Sequence, residues 1–154
     1  GKHTQYEGGV RSPFIIRWPG KVPINKVNKK SIVSGIDFLP TLCSMLDIEI
    51  DNSQFEGEDM SVVLTGGHKE RSTPLFWKAS NANANPSMLE GKWKIHRRGQ
   101  NYELYDLSVD EKEMNDVAHQ YPEKVNELST KMEKWVSTLP ESYLKSKKGN
   151  NSED

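Results

Sequence analysis

The residues best suited to chemistry stand at the start of the chain, in the run Gly1-Lys2-His3-Thr4-Gln5-Tyr6-Glu7-Gly8-Gly9-Val10-Arg11-Ser12-Pro13. Glycines at 1, 8 and 9 permit positive φ and close backbone approach, while Lys2 offers a compact charge with three donors to an oxyanion. That set suits a tetrahedral anion, although by itself the pattern is no more than a flexible basic loop. No complete active-site motif stands elsewhere: there is no G-x-S-x-G, P-loop, H-E-x-x-H or G-x-G-x-x-G. His3, His68, His96 and His119 are scattered, none pairs at i,i+4, and each is expected to be an exposed polar residue. The single cysteine, Cys43, excludes an internal disulfide and a multi-cysteine zinc site, and its apolar neighbours predict a small buried hydrophobe. The six acids from Asp47 to Asp59 lack calcium-loop spacing and read as a solvated loop.

At 154 residues the chain has the size of one domain, yet only 34% of it is hydrophobic. That is lean for a self-sufficient globule, and the expectation is a fragment with surface left uncovered. No apolar run approaches the roughly 20 residues that span a bilayer, so no membrane span is expected. Residues 1–30 carry seven cations against one anion, Glu7, in a chain whose formal net charge is -1. Such asymmetry can mark an anionic partner. Nucleic acid is not expected, because the stretch from Lys21 to Lys30 has no aromatic interleaving; it reads as a solvated loop.

Elements must position these groups. Phe14 to Trp18, between Pro13 and Pro19-Gly20, predicts a strand apolar on both faces, as in the parallel sheets of α/β proteins. Nothing earlier supplies its crossover, so a larger domain is expected upstream of Gly1. Ile36, Leu39, Leu42, Cys43 and Leu46 recur at helical spacing and predict a helix over 38–46, with Asp37 capping it and Pro40 in its first turn. Ser61 to Leu64 adds one turn before Gly66-Gly67. Leu75–Lys78, Trp93–Arg97 and Tyr102–Leu107 read as antiparallel strands, with Trp93 and Ile95 inward and Lys92, Lys94 and His96 facing solvent. Val125, Leu128, Met132, Trp135, Val136 and Leu139 form one apolar stripe, predicting an amphipathic helix that starts near Pro122, packs on the sheet and carries a Glu127–Lys131 pair on its wet side. The tail from 141 to 154 has nothing to bury, and its Asn150-Asn151-Ser152 is a weak glycosylation match.

The order of these motifs resembles the carboxy-terminal portion of the sulfatase family in the alkaline phosphatase superfamily. Gly1-Lys2-x-Thr4-x-Tyr6-Glu7-Gly8-Gly9-Val10-Arg11 is similar to that family's second signature region, continued by Arg17-Trp18-Pro19-Gly20-Lys21. Asp37-Phe38-Leu39-Pro40-Thr41-Leu42 resembles its D-x-x-P-T-L helix, followed by Glu56-Gly57. Leu75-Phe76-Trp77, Gly91-Lys92-Trp93-Lys94, Glu103-Leu104-Tyr105-Asp106-Leu107 and Asp110-Glu111-Lys112-Glu113 then follow in the family's order. The resemblance covers about residues 1–139. Two departures, Leu89 where many relatives have arginine and Glu111 where proline is frequent, touch substrate contacts and leave the fold intact.

The resemblance implies a sulfate-ester hydrolase working with calcium and a formylglycine nucleophile made from Cys or Ser in a C/S-x-P-x-R motif. Cys43 is followed by Ser44-Met45-Leu46 and does not fit that motif, so both groups are expected upstream of this chain. Lys2 alone matches a catalytic position of the family, the lysine that contacts the sulfate. Tyr6, Glu7 and Arg11 are assigned to loop architecture, and the polar loop Lys78–Pro86 to leaning over the pocket. The expected fold is α+β: residues 1–70 a remnant of the catalytic α/β domain, 71–140 an antiparallel sheet with a carboxy-terminal helix, 141–154 a mobile tail. The isolated chain is expected to be inactive, its partners being a small-molecule or glycan sulfate ester and the upstream part of the same protein. The family's habits imply a periplasmic or extracellular setting, lysosomal in a eukaryote. A non-catalytic anion-binding module and a phosphoesterase cousin are the alternatives.

Overall fold

The computed structural model describes residues 4–79 and 84–140. Lys2, His3, the centre of the 78–86 loop and the tail beyond Pro140 lie outside the described residues. Two compact units divide the chain, one of residues 12–74 and the other joining the opening residues through Arg11 to everything from Leu75 onward. The opening segment thus groups with the sheet, not with the stretch up to residue 70.

In the sheet unit a single turn, α1 (Glu7–Val10), precedes the long excursion of residues 12–74. Four strands follow: β1 (Leu75–Trp77), β2 (Ser87–Glu90), β3 (Trp93–Arg98) and β4 (Asn101–Asp106), all antiparallel and in sequence order across the sheet. Strand β2 is an addition to the three expected strands. It joins β3 through a tight hairpin in which Gly91 takes φ +55, a conformation that a side chain rarely adopts. Register pairs Met88 with Ile95 and Ile95 with Leu104, putting these on one face, while Lys94 pairs with Tyr105 and His96 with Glu103 on the other.

The apolar face is covered by α4 (Pro122–Ser137), which begins at Pro122 and places Leu128 and Met132 against Met88, Ile95 and Leu104. Each fully buried side chain of this kind contributes roughly 1.5–3 kcal/mol. On the wet side of α4, Lys131 meets Glu127 at 2.9 Å and Glu90 at 2.7 Å. The opposite face corrects the expectation for β3. Lys94 and His96 do turn away from the apolar core, but they meet the opening segment instead of water and are 0% and 3% exposed.

Within residues 12–74, α2 (Phe38–Met45) follows the 3-10 turn Gly35–Asp37, and α3 (Ser61–Leu64) is closed by Gly66 and Gly67. Asp37 stands at the amino end of α2 but does not cap it. Its buried carboxylate accepts from the Ser34 and Glu58 amides and takes both Nη atoms of Arg71, at 2.5 and 2.9 Å. Glu58 likewise leaves the expected solvated acidic loop: it is buried and accepts from the Ser72 and Thr73 amides and the Thr73 hydroxyl. Lys21 donates to the Met45 carbonyl at the carboxy end of α2, where a cation complements the helix dipole. Cys43 is buried as a free thiol.

The expected strand Phe14–Trp18 forms no ladder, and Ile15 is 90% exposed. A strand is defined by its neighbour's hydrogen bonds, and no described segment pairs with this one. The α+β architecture therefore stands on the antiparallel sheet and its helix; the described residues contain no parallel strand.

Candidate functional site

Tyr6 and Glu7 are fastened to the polar face of the sheet. The Tyr6 hydroxyl donates to Glu103 Oε2, its ring lies 4.2 Å from the His96 ring, and Arg98 stands 5.6 Å over it. Burial, and then the hydrogen bond to Glu103, push the Tyr6 phenol up to about 12, so it remains a donor at neutral pH. Burial and the Glu103 charge also raise the Tyr105 phenol, which donates to the same carboxylate. Glu7 is held twice: its amide donates to Glu113 Oε2 at 2.5 Å, and its carboxylate receives Lys94 Nζ at 2.7 Å. Glu113 uses its other oxygen on His96 Nε2 at 2.7 Å. Farther along, Arg11 reaches Glu111 at 2.9 Å between exposed side chains.

Sequence reasoning placed Tyr6, Glu7 and Arg11 in loop architecture, and these contacts are what that architecture consists of. It missed Lys94, His96, Glu103 and Glu113. The available signal was a segment with Lys94 and His96 on its outward positions and the acids Asp110, Glu111 and Glu113 following it.

Thr4 and Gln5 line an open hollow of about 620 Å³ with Phe76, Trp77, Lys78, Ala79, Trp135, Leu139 and Pro140. Phe76 and Trp135 stack at 4.9 Å with ring planes 8° apart, and Lys94 Nζ lies 4.3 Å over the Trp77 ring. Desolvation lowers the Lys78 ammonium below the usual lysine range, with Arg97 nearby acting in the same direction. Aromatic walls beside an ammonium can hold an organic group that carries negative charge.

Calcium and formylglycine, both implied by the resemblance, do not fit the residues present. Among the described residues, no three His, Cys, Asp or Glu side chains cluster to hold a metal ion. Cys43 is buried inside α2, in the wrong sequence context for conversion.

The fold of this chain recurs in solved structures. A Bacteroides thetaiotaomicron protein of glycosaminoglycan metabolism superposes with a TM-score of 0.73 at 30% identity, covering 89% of this chain and 31% of that one. Ps i-CgsB in complex with k-i-k-neocarrahexaose matches with a TM-score of 0.66 at 21% identity over 77% of this chain and 27% of its own, a likeness of fold alone. The chain belongs to the family of N-sulphoglucosamine sulphohydrolase carboxy-terminal regions, whose profile matches residues 1–141. It is 32% identical over 151 residues to an N-acetylgalactosamine-6-O-sulfatase of Bacteroides thetaiotaomicron, covering 86% of this chain and 29% of that protein. It is 33% identical over 99 residues to bovine (Bos taurus) arylsulfatase A, covering 62% of this chain and 19% of that protein. The chain thus spans under a third of the length of these relatives.

Proposed function

We propose that this chain is the carboxy-terminal part of a sulfatase, a sulfuric ester hydrolase, to which it contributes Lys2 and a substrate-shaping surface. The observation that carries the reading is the fastening of Tyr6 and Glu7 to the sheet, because it gives a fixed base to the segment in which Lys2 matches the family's sulfate-contacting lysine. Sulfuryl transfer spreads negative charge over the peripheral and leaving oxygens, and a preorganised ammonium lowers that barrier. Thr4, two positions after Lys2, lines the hollow. On this reading the hollow, with the stacked Phe76 and Trp135 rings in its wall, receives the alcohol part of a sulfate ester while Lys2 takes the sulfate.

Calcium and the formylglycine nucleophile belong, on this reading, to other segments of the polypeptide. The substrate is a sulfated small molecule or glycan; a periplasmic or extracellular setting, or a lysosomal one, goes with it. No helix of the described residues is long and apolar enough to cross a membrane. Assay of the full-length protein on an aryl sulfate, a sulfated sugar and the matching phosphate ester tests the reading. Sulfate release, with Lys2→Ala lowering kcat roughly 10²- to 10³-fold as for loss of one transition-state donor, is expected. Preference for the phosphate ester would assign a phosphoesterase, no turnover of any of the three a binding module, and unchanged kcat in Lys2→Ala would remove Lys2 from the site. The isolated 154-residue chain should release no sulfate.

A further inference from the structure

Lys94 occupies the middle of β3 with its side chain fully buried. An ammonium there is costly to desolvate, and replacing a whole buried ion pair with apolar side chains of similar volume is often neutral or stabilising. Its two neighbours show what the charge is used for. On one side Nζ bonds Glu7 Oε1 at 2.7 Å, and on the other it lies 4.3 Å over the ring of Trp77, which lines the hollow. Glu7 is gripped a second time through its amide by Glu113, itself held by His96. One buried cation therefore touches both the segment that follows Lys2 and the aromatic wall of the hollow.

We propose that Lys94 is a positioning residue for catalysis, setting the register between the Lys2 segment and the Trp77 wall by holding the Glu7 carboxylate. The proposal rests on the assignment of Lys2 to the sulfate. Lys94 itself touches no reacting atom; it acts through Glu7 and Trp77.

The test is a double-mutant cycle in the full-length enzyme, reading kcat and KM for a sulfate ester alongside the thermal unfolding midpoint. Lys94→Met is expected to lower kcat roughly 10- to 100-fold, the scale of a misplacement of about 1 Å, with KM changed less. Placed on Lys2→Ala, the same substitution should cost under about threefold more, because residues acting as a unit are not additive. Glu7→Gln keeps the volume and one acceptor, should reduce kcat in the same way and to a smaller extent, and carries the cycle if Lys94→Met does not fold. An equal loss in the presence and absence of Lys2, or unchanged kcat in either folded variant, overturns the positioning role and leaves the assignment of Lys2 intact. Unchanged kcat in Lys2→Ala alone overturns that assignment and this proposal with it.

Discussion

Glu58 accepts three hydrogen bonds through one oxygen, from the Ser72 amide, the Thr73 amide and the Thr73 hydroxyl, while Lys69 Nζ stands 3.1 Å from the other. Burial alone raises its pKa, but the bonds from Thr73, Lys69 and Ser72 outweigh that and hold the carboxyl at about 2, against an ordinary 4.5. A depressed carboxyl stabilises the fold above its unfolded value, and the contribution disappears as pH falls through the folded value. Glu58→Gln should therefore be less stable than the parent at pH 6 and lose less on acidification from pH 4.5 to 2. Urea unfolding at the two ends of that window measures it, and parallel losses in both proteins would contradict it. Residues of this kind were the least legible in the sequence. Glu58 stands in an acidic loop with no periodicity to read, and Lys94 and His96 stand at strand positions that point outward; alternation tells which face a residue takes without telling what covers that face. The partners that bury Lys94 and His96 stand 87 and 17 positions away, out of reach of any local pattern.

Gly57 shows how closely the turn before α3 approaches the turn before α2. A Cβ built on it would lie 2.0 Å from the Ile36 carbonyl oxygen and 2.5 Å from its carbon, both backbone atoms that cannot rotate aside. Next to it, the Glu58 amide reaches Asp37 at 2.9 Å, so the approach serves the buried carboxylate. Gly57→Ala should destabilise the protein at or beyond the upper end of the about 1–3 kcal/mol typical of overpacking. Gly35→Ala, where a Cβ meets nothing within 4 Å, is the control, expected to stay within about 1 kcal/mol. Equal effects in denaturant unfolding would refute the steric account. At this scale the sequence was most readable where one face of an element is apolar. The stripe of α4 and the helical spacing of α2 located both helices to within a residue or so. Strand β2 escaped because Ser87, Met88 and Leu89 are all buried, leaving no alternation to see. Phe14–Trp18 misled for the converse reason: its composition is that of a strand, but composition does not supply a hydrogen-bonding neighbour.

The unit of residues 12–74 leaves much of its apolar surface in water: Phe14, Ile24, Val27, Leu39, Leu46 and Ile48 are all at least 48% exposed. Polar pillars, the Asp37–Arg71 pair and Glu58, hold that unit together where a larger core would otherwise do so. Deleting one partner of a buried pair costs roughly 3–5 kcal/mol, which leaves such a unit little reserve. The isolated chain should bind an apolar fluorescent dye and self-associate at micromolar concentration, and serine at Ile15, Ile24 and Val27 together should weaken both. Sedimentation and dye titration read the outcome; a monomeric chain with no dye uptake would show that this surface is not a liability. The lean apolar composition points to uncovered surface, and much of it lies in residues 12–74.

The roof on the polar face of the sheet also fixes an order of events during synthesis. Tyr6 waits for Glu103 and Glu7 for Glu113, separations of 97 and 106 residues, and at the usual 5–20 residues per second a ribosome needs about 5–20 s to produce them. Until then the nascent lysine segment has no seat. A polypeptide truncated before β4 would carry every residue of that segment and still lack the platform that gives it a fixed place.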